Sequence, residues 1–214
     1  LPPSSAPASA PSAGRLFVIS APSGAGKTSL VKALLARDPN LRVSVSHTTR
    51  ARRPNETDGR DYHFVSLERF GELAAAGAFL ESAQVFDNHY GTARAGVEAE
   101  LAAGHDVILE IDWQGARQVR ASRPDLHSIF ILPPSRAALE ARLRNRRTDT
   151  EAVIARRLRD AVSDMTHYRE FDYVVVNDDF ERAALELLGI LRGGGKELPA
   201  ERPELAPLVR ELLT

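Results

Sequence analysis

Short, nearly continuous apolar runs alternate along the chain with longer stretches whose apolar residues recur every three to four positions. RLFVIS (15–20), DVILEID (106–112), HSIFIL (127–132) and YVVVN (173–177) are too short for buried helices and too apolar for half-exposed strands. They predict strands covered on both faces. RVSVS (42–46), YHFVS and FLESAQVF predict further, weaker strands. Helical spacing covers KTSLVKALLARD, which stops before Pro39, a stretch starting near Ser66, and ARAGVEAELAA, which stops at Gly104. It returns from about Trp113, in PPSRAALEARL with Ser135 as N-cap, in TEAVIARRLRDAVSDMTHY and in FERAALELLGILR. Strands separated by helices need crossover connections. The fold class is therefore α/β, a mostly parallel sheet with helices on both faces. Residues 42–92 carry the extra short strands and predict an inserted small sheet. No internal repeat is visible.

Composition narrows the setting. Of 214 residues, 43% are apolar and 27% charged, enough for one domain with a real core. The formal net charge of −1 gives no global field, so neither nucleic acid nor a membrane is an expected partner. The absence of cysteine fits a reducing compartment, and a cytoplasmic location is the expectation. LPPSSAPASAPSA (1–13) lacks core-forming residues and the basic start of a secretory signal, and reads as a disordered extension. The domain is then expected over 14–195, followed by a polar tail (196–214) with helical spacing over 203–213.

The first candidate chemistry is FVISAPSGAGKTSL (17–30), a strand, a glycine turn and a helix in that order. It matches G-x-x-x-x-G-K-[ST] except that Ala21 replaces the first glycine. Gly24 and Gly26 let several backbone N–H groups point inward, and the helix N-terminus adds its dipole. Such a turn holds a nucleoside triphosphate. Ser23, Gly24, Ala25, Gly26, Lys27, Thr28 and Ser29 would line it, with Lys27 on the β- and γ-phosphates and the Thr28 hydroxyl on Mg²⁺. All but three of the 28 basic residues are arginine, so a lysine in this turn stands out from background while arginine clusters need more support. Arg50, Arg52 and Arg53, with Tyr62 further on, form such a cluster. It suits bidentate phosphate recognition, or is simply a solvated basic loop.

Six stretches decide between these readings: SAPSGAGKTS, VSHTTRARRPNETDGRDYHF, FLESAQVFDNHYGT, ILEIDWQGARQV, ILPPS and YVVVNDDF. In these residues the chain resembles the guanylate kinase family, over about 15–190, and AVSDMTHYREFDYVVVNDDF is similar to bacterial members. The resemblance implies the nucleoside monophosphate kinase fold with a P-loop, a GMP-binding insertion at about 42–92 and an arginine-bearing lid at about 142–157. It implies ATP-dependent, Mg²⁺-assisted phosphorylation of GMP, and of dGMP, in purine nucleotide metabolism. Arg50, Arg53, Tyr62 and Tyr90 would bind the acceptor phosphate. Ser46, Glu81 and Thr92 would read guanine. Lys27, Arg142, Arg146 and Arg157 would be the catalytic cations, and Asn177 with Asp178 would sit near the adenine. Guanine offers two adjacent donors, N1–H and N2–H₂, which suit an ionised Glu81; adenine would set an acceptor against that carboxylate.

Glu110 and Asp112 end a buried strand beside the turn. Both suit either the acceptor nucleotide or Mg²⁺ (Asp112 through water, with Thr28), and Asp112 also suits a helix N-cap. Arg147 stands where the family pattern often has glycine. The six histidines have no metal-like spacing, and Trp113 and Met165 read as packing residues. Other readings are a non-catalytic phosphopeptide-docking module of the same fold, a P-loop kinase for another phosphorylated acceptor, and a hydrolytic switch. The intact GAGKT speaks against the first, and the Glu81 group against the second. Oligomeric state, monomer or homodimer, is left open.

Overall fold

A computed structural model of the chain describes residues 13–85, 87–145 and 150–214. Among these, nine strands form two sheets. The larger contains, numbered in chain order, β1 (Leu16–Ser20), β2 (Leu41–Val43), β7 (Asp106–Glu110), β8 (His127–Leu132) and β9 (Tyr173–Val176). Its order is β2-β7-β1-β8-β9, with every pairing parallel. The apolar runs are continuous because both faces are covered. Leu16, Val18, Val107, Leu109, Phe130 and Leu132 face one layer; Phe17, Ile19, Ile108, Ile129 and Ile131 face the other. The first layer holds α3 (Arg94–Ala102), α4 (Trp113–Ser122), α5 (Arg136–Arg144) and α6 (Glu151–Met165). The second holds α1 (Lys27–Arg37) and α7 (Phe180–Leu191). Met165 is buried in the first layer, a packing residue as its sequence context predicts.

The smaller sheet has the order β4-β3-β6-β5, built from β3 (His47–Thr48), β4 (His63–Phe64), β5 (Phe79–Val85) and β6 (Asn88–Ala93). Helix α2 (Leu67–Ala75) packs against it through Phe70, whose ring lies 4.8 Å from that of Phe79. Ser66 caps α2 by accepting from Arg69 N. Two details depart from the sequence pattern. RVSVS is not one strand: Leu41–Val43 pairs with β7, and the chain then crosses to the second sheet at His47. NHYGTA carries no apolar alternation, yet forms β6, because it is held by pairing with β5 on one side and β3 on the other.

The C-terminal segment is helical over 203–213, as its spacing predicts. It packs on the core instead of trailing from it. Leu198 and Ala200 are buried, Val174 N donates to Leu198 O (3.0 Å), and Arg202 donates to the Val174 carbonyl (2.8 Å). Leu205 and Leu212, the latter on α8 (Ala206–Leu213), join the first layer. The helical spacing over 203–213 was visible in the sequence, but which surface its leucines meet was not. Residues 1–12 lie outside the described residues. Gly14 is tied down by its N–H to Leu101 O (2.9 Å), and a Cβ there would fall 1.7 Å from the His105 carbonyl oxygen. Among the described residues no helix is long and apolar enough to cross a membrane.

Candidate active site

β1 delivers the chain to the carboxyl edge of the parallel sheet, where the turn 21–26 bends it into α1. Gly24 (φ 93°) and Gly26 (φ 100°) take the left-handed conformation that the motif needs of them. At Gly26 there is a second constraint. A Cβ would meet Asn177 Nδ2 at 2.4 Å, and that amide donates to the Ala25 carbonyl at 2.7 Å. Ala21 follows β1 directly and packs against the second-layer core. The first turn of α1 has neither a capping side chain nor an acidic residue, so its N–H groups and dipole are left for an anion.

Lys27 is half-buried, and its Nζ lies 3.4 Å from the Ile111 carbonyl. Burial pushes its pKa down, opposed by Glu110, Asp112, Asp164 and Glu81. Thr28 Oγ1 donates to Glu110 Oε2 (3.2 Å) at the end of β7. Asp112 is the N-cap of α4, accepting from Gly115 N (2.9 Å) and Gln114 Nε2 (3.1 Å). The capping role and a place on the cleft wall therefore coexist.

A cleft of about 670 Å³ runs from this turn to the small sheet. Ser23, Gly24, Gly26, Lys27, Thr28 and Ser29 line one end. Ser46, Tyr62, Glu81 and Tyr90 line the other, with Glu110 and Asp112 between. Ala25 is fully buried beneath the turn. Glu81 is only 4% exposed, which for a carboxylate demands a partner. Thr92, its cross-strand neighbour on β6, donates to Glu81 Oε1 at 2.6 Å. Gly115 of α4 presses on the other oxygen, where a Cβ would sit 2.6 Å from Oε2. Burial raises the Glu81 pKa to about 7; the Thr92 hydrogen bond and Lys27 oppose the rise, and Asp112 adds to it. The rings of Tyr62 and Tyr90 meet edge to face at 6.0 Å. Burial pushes the Tyr62 phenol upward, so it stays a neutral hydrogen-bonding group.

Arg50 lies behind Tyr62, its guanidinium 5.3 Å from that ring and its NH2 2.7 Å from Glu56 Oε1. Arg53 is exposed, 4.0 Å from the same oxygen. Neither arginine is part of the cleft wall as it stands.

A second pocket of about 360 Å³ opens behind the turn, lined by Gly24, Gly26, Ser29, Arg142, Asn177, Asp178 and Phe180. Arg142 donates to the Asn177 carbonyl (2.9 Å) and the Ala25 carbonyl (3.3 Å), bracing the turn from behind. Arg146 and Arg147 lie outside the described residues. Arg157 is half-buried on α6 and does not line the cleft, whereas its neighbour Arg156 does. Asp160, Ser163 and Asp164 share that face of α6 and also reach the cleft. Their i, i+4, i+7, i+8 spacing was visible in the sequence, but which face of α6 meets the cleft was not. Trp113 both lines the cleft and stacks on His167 at 3.6 Å, so packing is half its role. Asp164 has its pKa raised to about 6 by burial and by Asp112, against a hydrogen bond from Trp113.

Comparison with known proteins places nearly the whole chain in one family. A family model described as guanylate kinase matches residues 13–193. The guanylate kinase of Methylococcus capsulatus is 58% identical over 200 residues, covering 94% of this chain and 98% of that one. That of Chromohalobacter salexigens is 56% identical over 208 residues, 97% of each chain. The crystal structure of guanylate kinase from Anaplasma phagocytophilum superposes with a TM-score of 0.71 at 35% identity, covering 93% of this chain and 95% of that one. A phosphate-binding turn, a facing carboxylate and a match along nearly the whole length lead to one conclusion: the chain belongs to the guanylate kinase family.

Proposed function

We propose that the chain carries out its family's reaction, ATP-dependent phosphorylation of GMP to GDP, inside the 670 Å³ cleft. The observation that carries this reading is the Glu81–Thr92 pair, buried at the opposite end of the cleft from Lys27. The two ends fit two nucleotides head to head. An ionised Glu81 accepts from guanine N1–H and N2–H₂, and the Ser46 hydroxyl serves O6. Thr92, whose proton already points at Glu81, fixes the carboxylate's orientation. Arg50, Arg53, Tyr62 and Tyr90 hold the acceptor phosphate. The pocket behind the turn takes the adenine between Arg142 and the Asn177–Phe180 segment.

The acceptor is a phosphate oxygen that is already ionised at neutral pH, so no general base is required. The obstacle is bringing two polyanions together. A single pair of unit charges at 4 Å repels by about 4 kcal/mol at an effective dielectric near 20. Positioning and charge stabilisation therefore carry the rate. Lys27 neutralises the transferring group, with Arg146 and Arg157 as the further cations that the family resemblance adds, and Arg142 keeps the turn in shape. The hard-oxygen set of Thr28 and Glu110 suits Mg²⁺, with Asp112 in reach through water. Held there, Mg²⁺ would supply charge to offset the donor phosphates. We assign the enzyme to the cytoplasm, a reducing compartment that suits a chain without cysteine.

A coupled ATP-consumption assay across GMP, dGMP, AMP, UMP and CMP tests the reading. GMP and dGMP should turn over, with AMP lower by at least two orders of magnitude. Comparable rates with AMP would remove guanine recognition from Glu81.

A further inference from the structure

The loop between β3 and β4 carries Arg50 and Arg53, and a carboxylate from the same loop sits between them. Glu56 Oε1 lies 2.7 Å from Arg50 NH2 and 4.0 Å from Arg53 NH1. Glu56 Oε2 accepts from the Arg53 backbone N–H at 2.8 Å, and Glu56 N donates back to the Arg53 carbonyl at 3.1 Å. The turn 53–56 is thus closed twice, once through the backbone and once through the side chain. Arg50 NH1 is spent on the Ala51 carbonyl (2.8 Å), and its flat face lies against Tyr62 and Phe64 at 5.3 and 5.8 Å. The Arg50 backbone N–H is held by Thr48 Oγ1 (3.1 Å). Glu56 is only 16% exposed as a side chain, as is Arg50, so this pair is not a surface ion pair of negligible worth.

A carboxylate inside a phosphate site is costly unless it does something. It lowers the site's positive charge and so weakens attraction to a dianion. Two other facts offset this. Without Glu56 two guanidinium groups would repel one another, and the loop would carry its arginines in many arrangements. An anchored fork also loses less freedom when phosphate arrives. Because Glu56 is built into the turn's own hydrogen bonds, a ligand cannot displace it without opening that turn.

We propose that Glu56 is a positioning residue for the acceptor phosphate, holding the Arg50 fork and the Arg53 turn ready before the nucleotide binds. This rests on the assignment of that phosphate to Arg50 and Arg53. Glu56 stays in place during turnover and acts only through them.

Titration calorimetry on the full chain with GMP and, separately, with guanosine tests this, alongside steady-state KM values for GMP and ATP. Glu56→Ala should weaken GMP at least tenfold and leave guanosine and the KM for ATP unchanged. Glu56→Gln keeps an acceptor for the Arg53 amide and should fall between Glu56→Ala and the parent. Arg50→Ala should weaken GMP, and adding Glu56→Ala to it should cost less than Glu56→Ala costs in the parent, the remainder being the loss of the Arg53 turn. Unchanged or tighter GMP binding in Glu56→Ala, with Arg50→Ala still defective, would overturn the role given to Glu56. Equal loss of GMP and guanosine would also overturn it, by showing a general loosening of the lobe; the milder Gln variant and a melting curve guard against misreading an unfolded protein. If Arg50→Ala itself binds GMP normally, the phosphate assignment fails instead.

Discussion

Glu81→Gln separates function from stability. The substitution is nearly isosteric and keeps an oxygen to accept from Thr92 Oγ1 at 2.6 Å. It removes a charge whose burial has raised the carboxyl from 4.5 to about 7. A group with a folded-state pKa above its unfolded one binds more protons when folded. Stability should therefore fall as pH rises from about 4.5 to about 7, and stay low above that. Holding the ionised form at pH 8 costs on the order of 3 kcal/mol, and the amide avoids it. For a chain of this size that is a Tm gain of roughly 6–12 °C at pH 8, shrinking towards zero near pH 5. Binding should move the other way. Guanine would lose two charge-assisted hydrogen bonds and face an amide donor against one of its own, about 3–4 kcal/mol or two to three orders of magnitude in Kd for GMP. Scanning fluorimetry at pH 5 and pH 8, with calorimetric titration of GMP and ATP, reads both effects. ATP affinity should not change. A variant that melts earlier at pH 8, or that binds GMP as the parent does, would refute the reasoning.

Other changes have simpler expectations. Lys27→Ala should reduce kcat by at least three orders of magnitude with little change in Tm, since its ammonium has only one long contact, to the Ile111 carbonyl; near-parental kcat would contradict it. The KM for GMP should rise about tenfold per pH unit below about 7 as Glu81 protonates, while the KM for ATP stays flat; a pH series of initial rates checks this. Gly26→Ala combines a left-handed residue with a 2.4 Å approach to Asn177 and should cost about 1–3 kcal/mol in chemical denaturation and abolish ATP binding. Gly115→Ala should push Glu81 aside and weaken GMP at least tenfold with ATP unaffected, as titration would show.

What could be read from sequence follows from how local each feature is. The buried strands were legible because a run such as HSIFIL faces apolar layers on both sides. The phosphate turn was legible because its function needs a strand, two glycines, a lysine and a hydroxyl in fixed order. Glu81 was different. Its own surroundings in FLESAQVF suggest an exposed strand carboxylate, and only the family resemblance gave it a role. Its burial comes from Thr92, eleven positions away, and from Gly115 on a helix of the other lobe. For the same reason β6 and the cleft-facing side of α6 were missed. Both are defined by partners distant in sequence. The Asp112 cap, by contrast, is local, and the sequence supplied it.

The charges around the cleft show why so much of the machinery sits on loops. Its wall carries Glu81, Glu110, Asp112, Asp160 and Asp164, against Lys27 and Arg156. Two polyanions would not enter such a wall unaided. On the proposed reading the missing positive charge comes from Mg²⁺ on ATP, from Arg50 and Arg53 held ready on the acceptor loop, and from the arginines that the family resemblance adds. Between catalytic cycles the arrangement is self-consistent. Lys27 donates to the Ile111 carbonyl within the field of Glu110, Asp112, Asp164 and Glu81, and Arg50 is held by Glu56. A permanently cationic cleft would hold phosphates more tightly but would also release GDP and ADP slowly. An acid-walled cleft binds strongly only while both substrates and their cations are present, which suits an enzyme that must discharge two charged products every turn.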